Sequence, residues 1–120
     1  MKIKIAEATP LQLDWLVAKC EGRSGETALR DSHYGVYSPS TNWAQGGPII
    51  EREGVGLHRN SKLLYLNDEK RWQAHLIIAL DGPPPRTGYD SKGPTSLIAA
   101  MRCYVASKLG DEVEVPEDLK

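Results

Sequence analysis

The sequence GPTSLIAAMRCYVASKLG, from Gly93 to Gly110, contains the signals that decide the fold. Pro94 cannot continue a helix from the preceding residues, Thr95 or Ser96 can cap a helix that starts there, and Gly110 can end it. On a helical wheel the side chains form a large apolar arc and an arc of small residues. The large arc is Leu97, Ile98, Met101, Tyr104, Val105 and Leu109. The small arc is Ser96, Ala99, Ala100, Cys103, Ala106 and Ser107. Because small residues allow close packing, we predict that this helix is the central element of the fold.

An earlier helix is predicted over residues 10–21. Thr9 supplies a capping hydroxyl, Pro10 suits the first helical position, and Gln12 completes a capping box before Gly22 ends the helix. The apolar residues form two arcs, Leu13, Leu16, Val17 and Cys20 on one side and Leu11, Trp15 and Ala18 on the other. Since a single core covers only one arc, either the chain covers both sides or the Trp15 arc meets a partner subunit or a ligand.

The remaining pattern predicts a small antiparallel sheet and long loops. Strands are expected at residues 2–6, at 48–53 and from 55 onward, with a hairpin of 62–66 and 72–80 around a turn at 67–70. Residues 21–42, with a short strand at 34–37, and residues 81–94 are expected to be loops. An edge strand is expected at 112–115, and residues 113–120 are expected to fray. The fold class is therefore α+β, one compact domain over residues 1–120 with helices at 10–21 and 96–109.

Composition excludes several classes of function. The 15 Lys and Arg residues balance 16 Asp and Glu residues, so no duplex nucleic acid is expected as a partner. No apolar run approaches the roughly 20 residues that span a bilayer, so no membrane association is expected. Cys20 and Cys103 lie within helical patterns, and the N-terminus does not resemble a signal peptide. We therefore expect a cytosolic protein with two buried, reduced thiols.

No common catalytic or metal-binding motif is present. The sequence lacks a P-loop, GxGxxG, CxxC, HExxH and GxSxG, and its histidines, His33, His58 and His75, share no metal-ligand spacing. We therefore predict no catalytic residues, no metal site and no cofactor, and we expect a binding protein rather than an enzyme. A weak hydrolase acting on the bound ligand is the remaining enzymatic hypothesis.

The segment YSPSTNWAQGGPIIEREG, residues 37–54, has the composition of a ligand site. Its flat rings, neutral hydrogen-bonding side chains and paired glycines suit a planar polar ligand such as a nucleotide. The predicted ligand-binding residues here are Tyr37, Ser38, Ser40, Thr41, Trp43, Gln45, Gly46 and Gly47. Stacking of a base on Trp43 would contribute about 1–3 kcal/mol. The alternative interpretation is an ordinary run of turns with Trp43 inserted into the core.

A second candidate site is the start of the central helix. Thr95 and Ser96 offer hydroxyls and free first-turn amides, and Arg102 lies two turns further on, so the three residues are predicted to hold a phosphate. The alternative interpretation is a simple N-cap. We expect the two candidate sites to meet, with the helix N-terminus closing the pocket formed by residues 37–47.

Three segments together resemble the NinX-like family of small proteins of lambdoid-type temperate phages. They are YSPSTNWAQGGPIIEREG, LDWLVAKCEG and GPTSLIAAMRCYVASKLGDEVEVPEDL, about half of the chain. Residues 57–92 contain no motif of that family, and GPTS replaces the GPTP that is typical of it. The resemblance implies a phage accessory protein in the cytoplasm of the bacterial host, and it supplies no catalytic residues.

Two functions remain open at this point. The first is a non-catalytic binder of a planar anionic, nucleotide-like ligand that sequesters a host signalling nucleotide. The alternative is a protein-interaction module that binds a host or phage protein through Leu11, Trp15 and the irregular loops. The sequence leaves open whether the protein forms a homo-oligomer.

Overall fold

The computed structural model describes residues 1–23, 25–60, 68–79, 81–83 and 86–119. Within these residues the chain forms four α-helices and five strands in two antiparallel sheets, which confirms the predicted α+β class. In chain order these are β1 (Lys2–Lys4), α1 (Pro10–Cys20), α2 (Gly25–His33), α3 (Trp43–Glu53), β2 (Gly56–Arg59), β3 (Trp72–Ala79), β4 (Arg86–Gly93), α4 (Ser96–Leu109) and β5 (Glu112–Glu114). Short 3-10 segments cover Ile5–Glu7, Asp68–Lys70 and Glu117–Leu119.

The larger sheet has the strand order β2-β3-β4. Strand β3 pairs with β2 from Gly56 opposite His75, and with β4 from Trp72 opposite Gly93. One face of β3 is buried, with Ala74 and Leu76 pointing into the core. Strands β1 and β5 form the second sheet and bring the two ends of the chain together.

Helix α4 is central, as predicted. Every residue from Leu97 to Ala106 is buried, and the helix contacts α1, α3 and all three strands of the larger sheet. Its arc of small residues allows β4 to approach closely. The approach is seen at Cys103 on that arc, whose thiol donates to the Tyr89 carbonyl of β4 at 3.3 Å. The predicted cap is also present, with the Thr95 hydroxyl accepting from the Ile98 amide at 3.1 Å.

Helix α1 begins at the predicted capping box, in which the Thr9 and Gln12 side chains each accept from the other's backbone amide. The helix ends at Cys20, and Glu21 is its C-cap. Both apolar arcs lie against chain, since Leu13 is 0 % exposed and Trp15 is 8 % exposed. The helix is therefore covered on both sides, and Trp15 offers no free surface to a partner.

Helix α2 was not predicted, so the expected loop at 21–42 is wrong over residues 25–33, and the expected strand at 34–37 is instead a turn. The glycines and polar residues in this region indicated a loop, but Ala28 is fully buried and the helix packs on α1. Its one buried alanine and a half-buried Leu29 give too small an apolar arc to show as a 3.6-residue period. Tertiary packing therefore stabilises a helix that the sequence pattern did not indicate.

Helix α3 replaces the strand that was predicted at 48–53. Asn42 caps the helix by accepting from the Ala44 amide, and Gly54 ends it in the left-handed region at a φ of 74°. Pro48 lies inside the helix, where the missing N–H removes one hydrogen bond. The sequence pattern places this proline at the start of a strand, whereas its fixed φ is also compatible with a helix.

Strand β4 lies in the region that was predicted to be a loop from 81 to 94. Partly buried side chains alternate with exposed ones along β4. This period of two is typical of a strand, but the prolines and glycines around it indicated a loop. Gly93 is buried where β4 crosses α4, and a Cβ there would lie 2.8 Å from the Ala99 nitrogen. Strand β3 pairs with β2 on the side opposite β4. The predicted strand at 62–66 lies outside the described residues, as do Asn67 and Leu80.

The chain ends are held against the core. The predicted first strand is shorter than expected, because the backbone turns into a 3-10 segment at Ile5–Glu7. The predicted edge strand is present as β5. Beyond it, Val115 is 3 % exposed and Leu119 is 0 % exposed, so residues 113–119 pack on the domain rather than projecting from it.

Candidate functional site

The segment that was predicted to bind a ligand folds back onto helix α1. Ser40 is fully buried, its amide donates to the Asp14 carboxylate at 2.9 Å, and its hydroxyl donates to the Pro10 carbonyl at 3.3 Å. Burial raises the pKa of Asp14, and the hydrogen bonds from Ser40 partly oppose that rise. Ser40 therefore anchors the loop to α1.

Gln45 closes the same loop from the other side. Its side-chain oxygen accepts from the Ser38 amide at 2.6 Å, and its side-chain nitrogen donates to the Val36 carbonyl at 2.9 Å. Both ends of this amide are thus bonded within the chain. Two of the predicted ligand contacts, Ser38 and Gln45, instead fix the path of residues 36–45.

At Gly46 the segment 37–47 packs closely against the start of the central helix. A Cβ on Gly46 would overlap the Pro39 carbonyl oxygen and would lie 2.5 Å from the Leu97 Cδ1. Gly47 is different, because the nearest atom to a Cβ there is the Trp43 Cε3 at 3.7 Å. The first glycine therefore permits the close packing of α3 on α4.

Tyr37 also faces the interior. The ring is 7 % exposed, and the Arg23 guanidinium lies 4.0 Å from the ring centroid. Burial raises the pKa of Tyr37. One face of the ring is thus occupied by a cation of the same chain, so stacking of a base there would displace Arg23.

Trp43 is the exception, because its side chain lies on the surface. It is the first residue of α3 and is 54 % exposed, so it is not a core residue. Tyr34 is 79 % exposed and Val36 is 63 % exposed in the same part of the chain. The three side chains of Tyr34, Val36 and Trp43 are called the aromatic face below. No charged residue occurs from position 34 to position 50, and Thr41, two residues before Trp43, is exposed.

Arg102, which was predicted to hold a phosphate, binds backbone carbonyls. It is 5 % exposed and donates to Ala8 O and Lys92 O, each at 2.9 Å. A longer contact of 3.4 Å reaches the exposed Glu69 carboxylate. Thr95 caps α4, and Ser96 is the first residue of that helix. Arg102 thus connects α4 to β4 and to the turn that precedes α1.

A polar junction that the sequence did not indicate joins α1, α3 and α4. The Arg52 guanidinium donates to both oxygens of Glu21 at 2.8 Å, and the Tyr104 hydroxyl donates to the same carboxylate at 2.6 Å. The bonds from Arg52 hold the pKa of Glu21 below its usual range, despite partial burial. Residues 51–53 belong to the segment that was predicted to be a strand, but helix α3 turns Arg52 towards Glu21 at the end of α1.

Replacing Glu21 with glutamine is expected to lower the free energy of unfolding by about 1 kcal/mol at pH 7, because Arg52 is half exposed and solvent screens the pair. The pKa of Glu21 is lower in the folded state than in the unfolded state, so the ionised carboxylate stabilises the fold. This stabilisation is complete above the unfolded pKa of about 4.3 and is lost as the pH falls through the lower folded-state pKa. Urea unfolding of both proteins at pH 7 and near pH 3 tests this expectation. An equal difference in unfolding free energy at both pH values would contradict it.

Surface clefts lie away from the segment 37–47, and two of them border β4 or α4. The first, of about 690 Å³, lies between β4 and the small sheet, and charges of both signs line it, among them Lys4, Lys92, Asp90 and Asp111. The second, of about 540 Å³, lies between Pro94, Ile98 and Arg102 and the turn before α1. No residue of the predicted ligand segment lines either cleft.

Metal-ligating side chains and thiols also occur among the described residues. There, no group of three or more metal-ligating side chains comes together. Cys20 and Cys103 are free thiols, and burial raises their pKa values to about 11 and about 12, so both stay protonated at neutral pH. No helix within the described chain is long and apolar enough to cross a membrane.

Comparison with known families identifies a match. The sequence model of the family described as "Bacteriophage P22, NinX" matches residues 4–108, which is most of the chain. The chain therefore belongs to this phage family, as its three resembling segments predicted. A comparison with curated proteins found no match.

Proposed function

We propose that this member of the phage NinX family is a non-catalytic accessory protein that binds a protein partner through the aromatic face. The observation that carries the proposal is the exposure of Tyr34, Val36 and Trp43 within ten residues of one another. The bond from Gln45 to the Val36 carbonyl holds the segment of Tyr34 and Val36 against the start of α3, and exposed apolar patches are typical of protein-binding sites. Trp and Tyr are also the residues that most often contribute a large share of the binding free energy.

The hydrogen bonds that fix the segment carrying the aromatic face favour binding without rearrangement. Gln45 bonds to both Val36 and Ser38, and Ser40 is bonded to α1, so the segment between α2 and α3 is fixed at several points. A surface that is already ordered loses little conformational entropy when a partner binds. The turn-forming residues around Trp43 thus act as a support that presents the ring to solvent.

The character of the partner follows from the surface. Because residues 34–50 include no charged side chain, we infer that the partner offers a neutral, largely apolar pocket that accepts the Trp43 ring. The partner is a host or phage protein, and the encounter takes place in the bacterial cytoplasm. The interface expected from the sequence at Leu11 and Trp15 moves to this face, because Trp15 is buried.

A nucleotide-like ligand has weaker support. Of the groups that were expected to bind it, Ser38, Ser40 and Gln45 already bond within the chain, and Arg102 binds two carbonyls. Among the described residues of that set, Trp43, Thr41 and in part Ser96 keep exposed surface without side-chain bonds of this kind. A stacked ligand on Trp43 would therefore lack the polar contacts that give specificity.

Site-specific photo-crosslinking in phage-infected cells tests the proposal. A photoreactive residue at position 34 or 43 should give the same discrete protein adduct, whereas the same residue at position 109 should not. Leu109 is a matched control, because it is apolar, 44 % exposed, and lies at the far end of α4. Adducts of equal intensity at all three positions would contradict a specific face.

Replacing Trp43 with alanine is expected to weaken binding of the identified partner at least about tenfold, since the loss of a buried interfacial Trp commonly exceeds 1.4 kcal/mol. Leu109→Ala should leave the affinity unchanged. Titration calorimetry with the purified partner measures both, and an unchanged affinity in Trp43→Ala would refute the proposal. A thermal shift by nucleotides that disappears in Trp43→Ala would instead support the small-ligand hypothesis.

A further inference from the structure

The hydrogen-bond pattern of the larger sheet determines which backbone groups of its edge strand β4 point away from the sheet. The Asn60 amide donates to the Arg71 carbonyl, so Arg71 and alternate residues along β3 direct their backbone groups towards β2. The other residues of β3, such as Leu76, then bond to β4. Their partners in β4, which include Tyr89 opposite Leu76, point inward to β3.

The remaining residues of β4 therefore direct their N–H and C=O groups away from the sheet. These residues are Arg86, Gly88, Asp90 and Lys92. The bond from Arg102 to the Lys92 carbonyl agrees with this assignment, because Lys92 O lies outside the β3 ladder. Within the described part of the chain, no backbone group bonds to the outer edge of β4 at Arg86, Gly88 or Asp90. A row of unpaired groups of this kind is a template for another strand.

We propose that the outer edge of β4 pairs with the same edge of a second copy of this chain. Around a two-fold axis at Gly88, antiparallel pairing places Arg86 opposite Asp90 of the second copy, and Asp90 opposite Arg86 of the second copy. These pairs and the Gly88 pair on the axis all join residues whose backbone groups point outward, so each exchanges two hydrogen bonds. The two three-stranded sheets thereby form one continuous sheet.

Charge selects this register over its neighbours. An axis at Asp90 would place two carboxylates opposite each other, and an axis at Tyr89 would place Arg86 opposite Lys92. An axis at Gly88 gives two ion pairs of opposite charge and no like-charged pair. On the inner face it places Thr87 opposite Tyr89, a favourable aromatic and β-branched pair.

The side chains around this edge leave room for the pairs. Asp90 is 66 % exposed, and its Oδ1 contacts His75 Nδ1 at 3.0 Å, which leaves Oδ2 for the incoming guanidinium. The cleft of about 690 Å³ begins beside Asp90 and is lined by further carboxylates at Asp111 and Glu112. Lysines at Lys4 and Lys92 also line the cleft, so within it the carboxylates beside Asp90 are the groups that can accept Arg86 of the second copy.

Charge reversal within the one chain tests the proposal. By sedimentation equilibrium, Arg86→Asp and Asp90→Arg should each raise the dimer dissociation constant at least about tenfold, because each places like charges opposite each other. The double variant reverses both partners and should return the constant to within about threefold of the wild type. Circular dichroism confirms that each variant is folded.

Hydrogen exchange gives a second measurement on the wild-type protein. The amides of Gly88 and Asp90 should become protected as the protein concentration rises, whereas the Thr87 amide, which already bonds within the sheet, should not change. The proposal would be overturned by a protein that stays monomeric at high concentration. It would also be overturned by a double variant whose dimer dissociation constant is as high as those of the single variants. A dimer lost in Trp43→Ala would overturn it too, because the second copy would then occupy the aromatic face. The interface with a partner protein at Trp43 is tested separately, so either proposal can fail alone.

Discussion

Replacing Arg102 with methionine is expected to lower the free energy of unfolding by about 3 kcal/mol and the melting temperature by about 10 °C. The side chain is buried, and its two strongest bonds go to the carbonyls of Ala8 and Lys92. Methionine fills a similar volume but donates no hydrogen bond. The variant therefore removes the donor to the buried Ala8 carbonyl, at about 1–3 kcal/mol, and the donor to the partly buried Lys92 carbonyl, which costs less.

The effect comes from the carbonyls rather than from the ion pair with Glu69. That carboxylate is 64 % exposed and lies 3.4 Å from Arg102, a geometry that contributes at most about 0.5 kcal/mol. Glu69→Gln is accordingly the matched control and should leave stability nearly unchanged. Chemical denaturation of the two variants and the wild type measures the difference. A loss below about 1 kcal/mol in Arg102→Met, or equal losses in both variants, would show that the carbonyl bonds do not stabilise the fold.

The elements that the sequence predicted well have strong local signals. The Thr9 and Thr95 caps and the terminal glycines mark both ends of α1 and α4, and long apolar arcs run between these ends. Such signals act over a few residues and need no knowledge of the rest of the chain. The antiparallel sheet could also be predicted in outline, because buried and exposed residues alternate clearly along β3.

The elements that were missed depend on distant contacts. Helix α2 has one fully buried alanine, and helix α3 contains two glycines and a proline, so neither has a strong intrinsic preference for helix. Their burial against α1 and α4 decides the outcome, and single-sequence patterns do not contain that information. Strand β4 was hidden by the prolines on either side of it, although its own residues alternate.

The candidate site shows the same division. Tyr37, Ser40 and Arg102 carry groups that suit a ligand, and composition alone does not reveal whether such groups face a cleft or the core. The structure turns them inward, to α1, to Arg23 and to backbone carbonyls. Trp43 could be recognised as unusual from its polar surroundings, but its exposure depends on the position of α3, which the sequence pattern had assigned to a strand.

The paired glycines of α3 are expected to respond in opposite directions to the same substitution. Gly46→Ala should lower the free energy of unfolding by about 2–3 kcal/mol, because the new methyl group would overlap the Pro39 carbonyl and lie 2.5 Å from Leu97 Cδ1. Gly47→Ala should raise it by about 0.5–1 kcal/mol, since its methyl group meets only Trp43 at an ordinary distance of 3.7 Å. Urea denaturation of the two variants measures both effects.

This pair separates packing from helix propensity. Both glycines lie in the same helix and both gain the same propensity from alanine, so the difference between the variants, about 3 kcal/mol, reports the contact of Gly46 with Pro39 and Leu97. The result also bears on function. If Gly46→Ala were as stable as Gly47→Ala, α3 would stand further from α4 than described, and a ligand could enter between residues 37–47 and the start of α4. A large loss in Gly46→Ala alone means that protein atoms fill this space, which leaves the exposed ring of Trp43 as the surface of this segment that meets a partner.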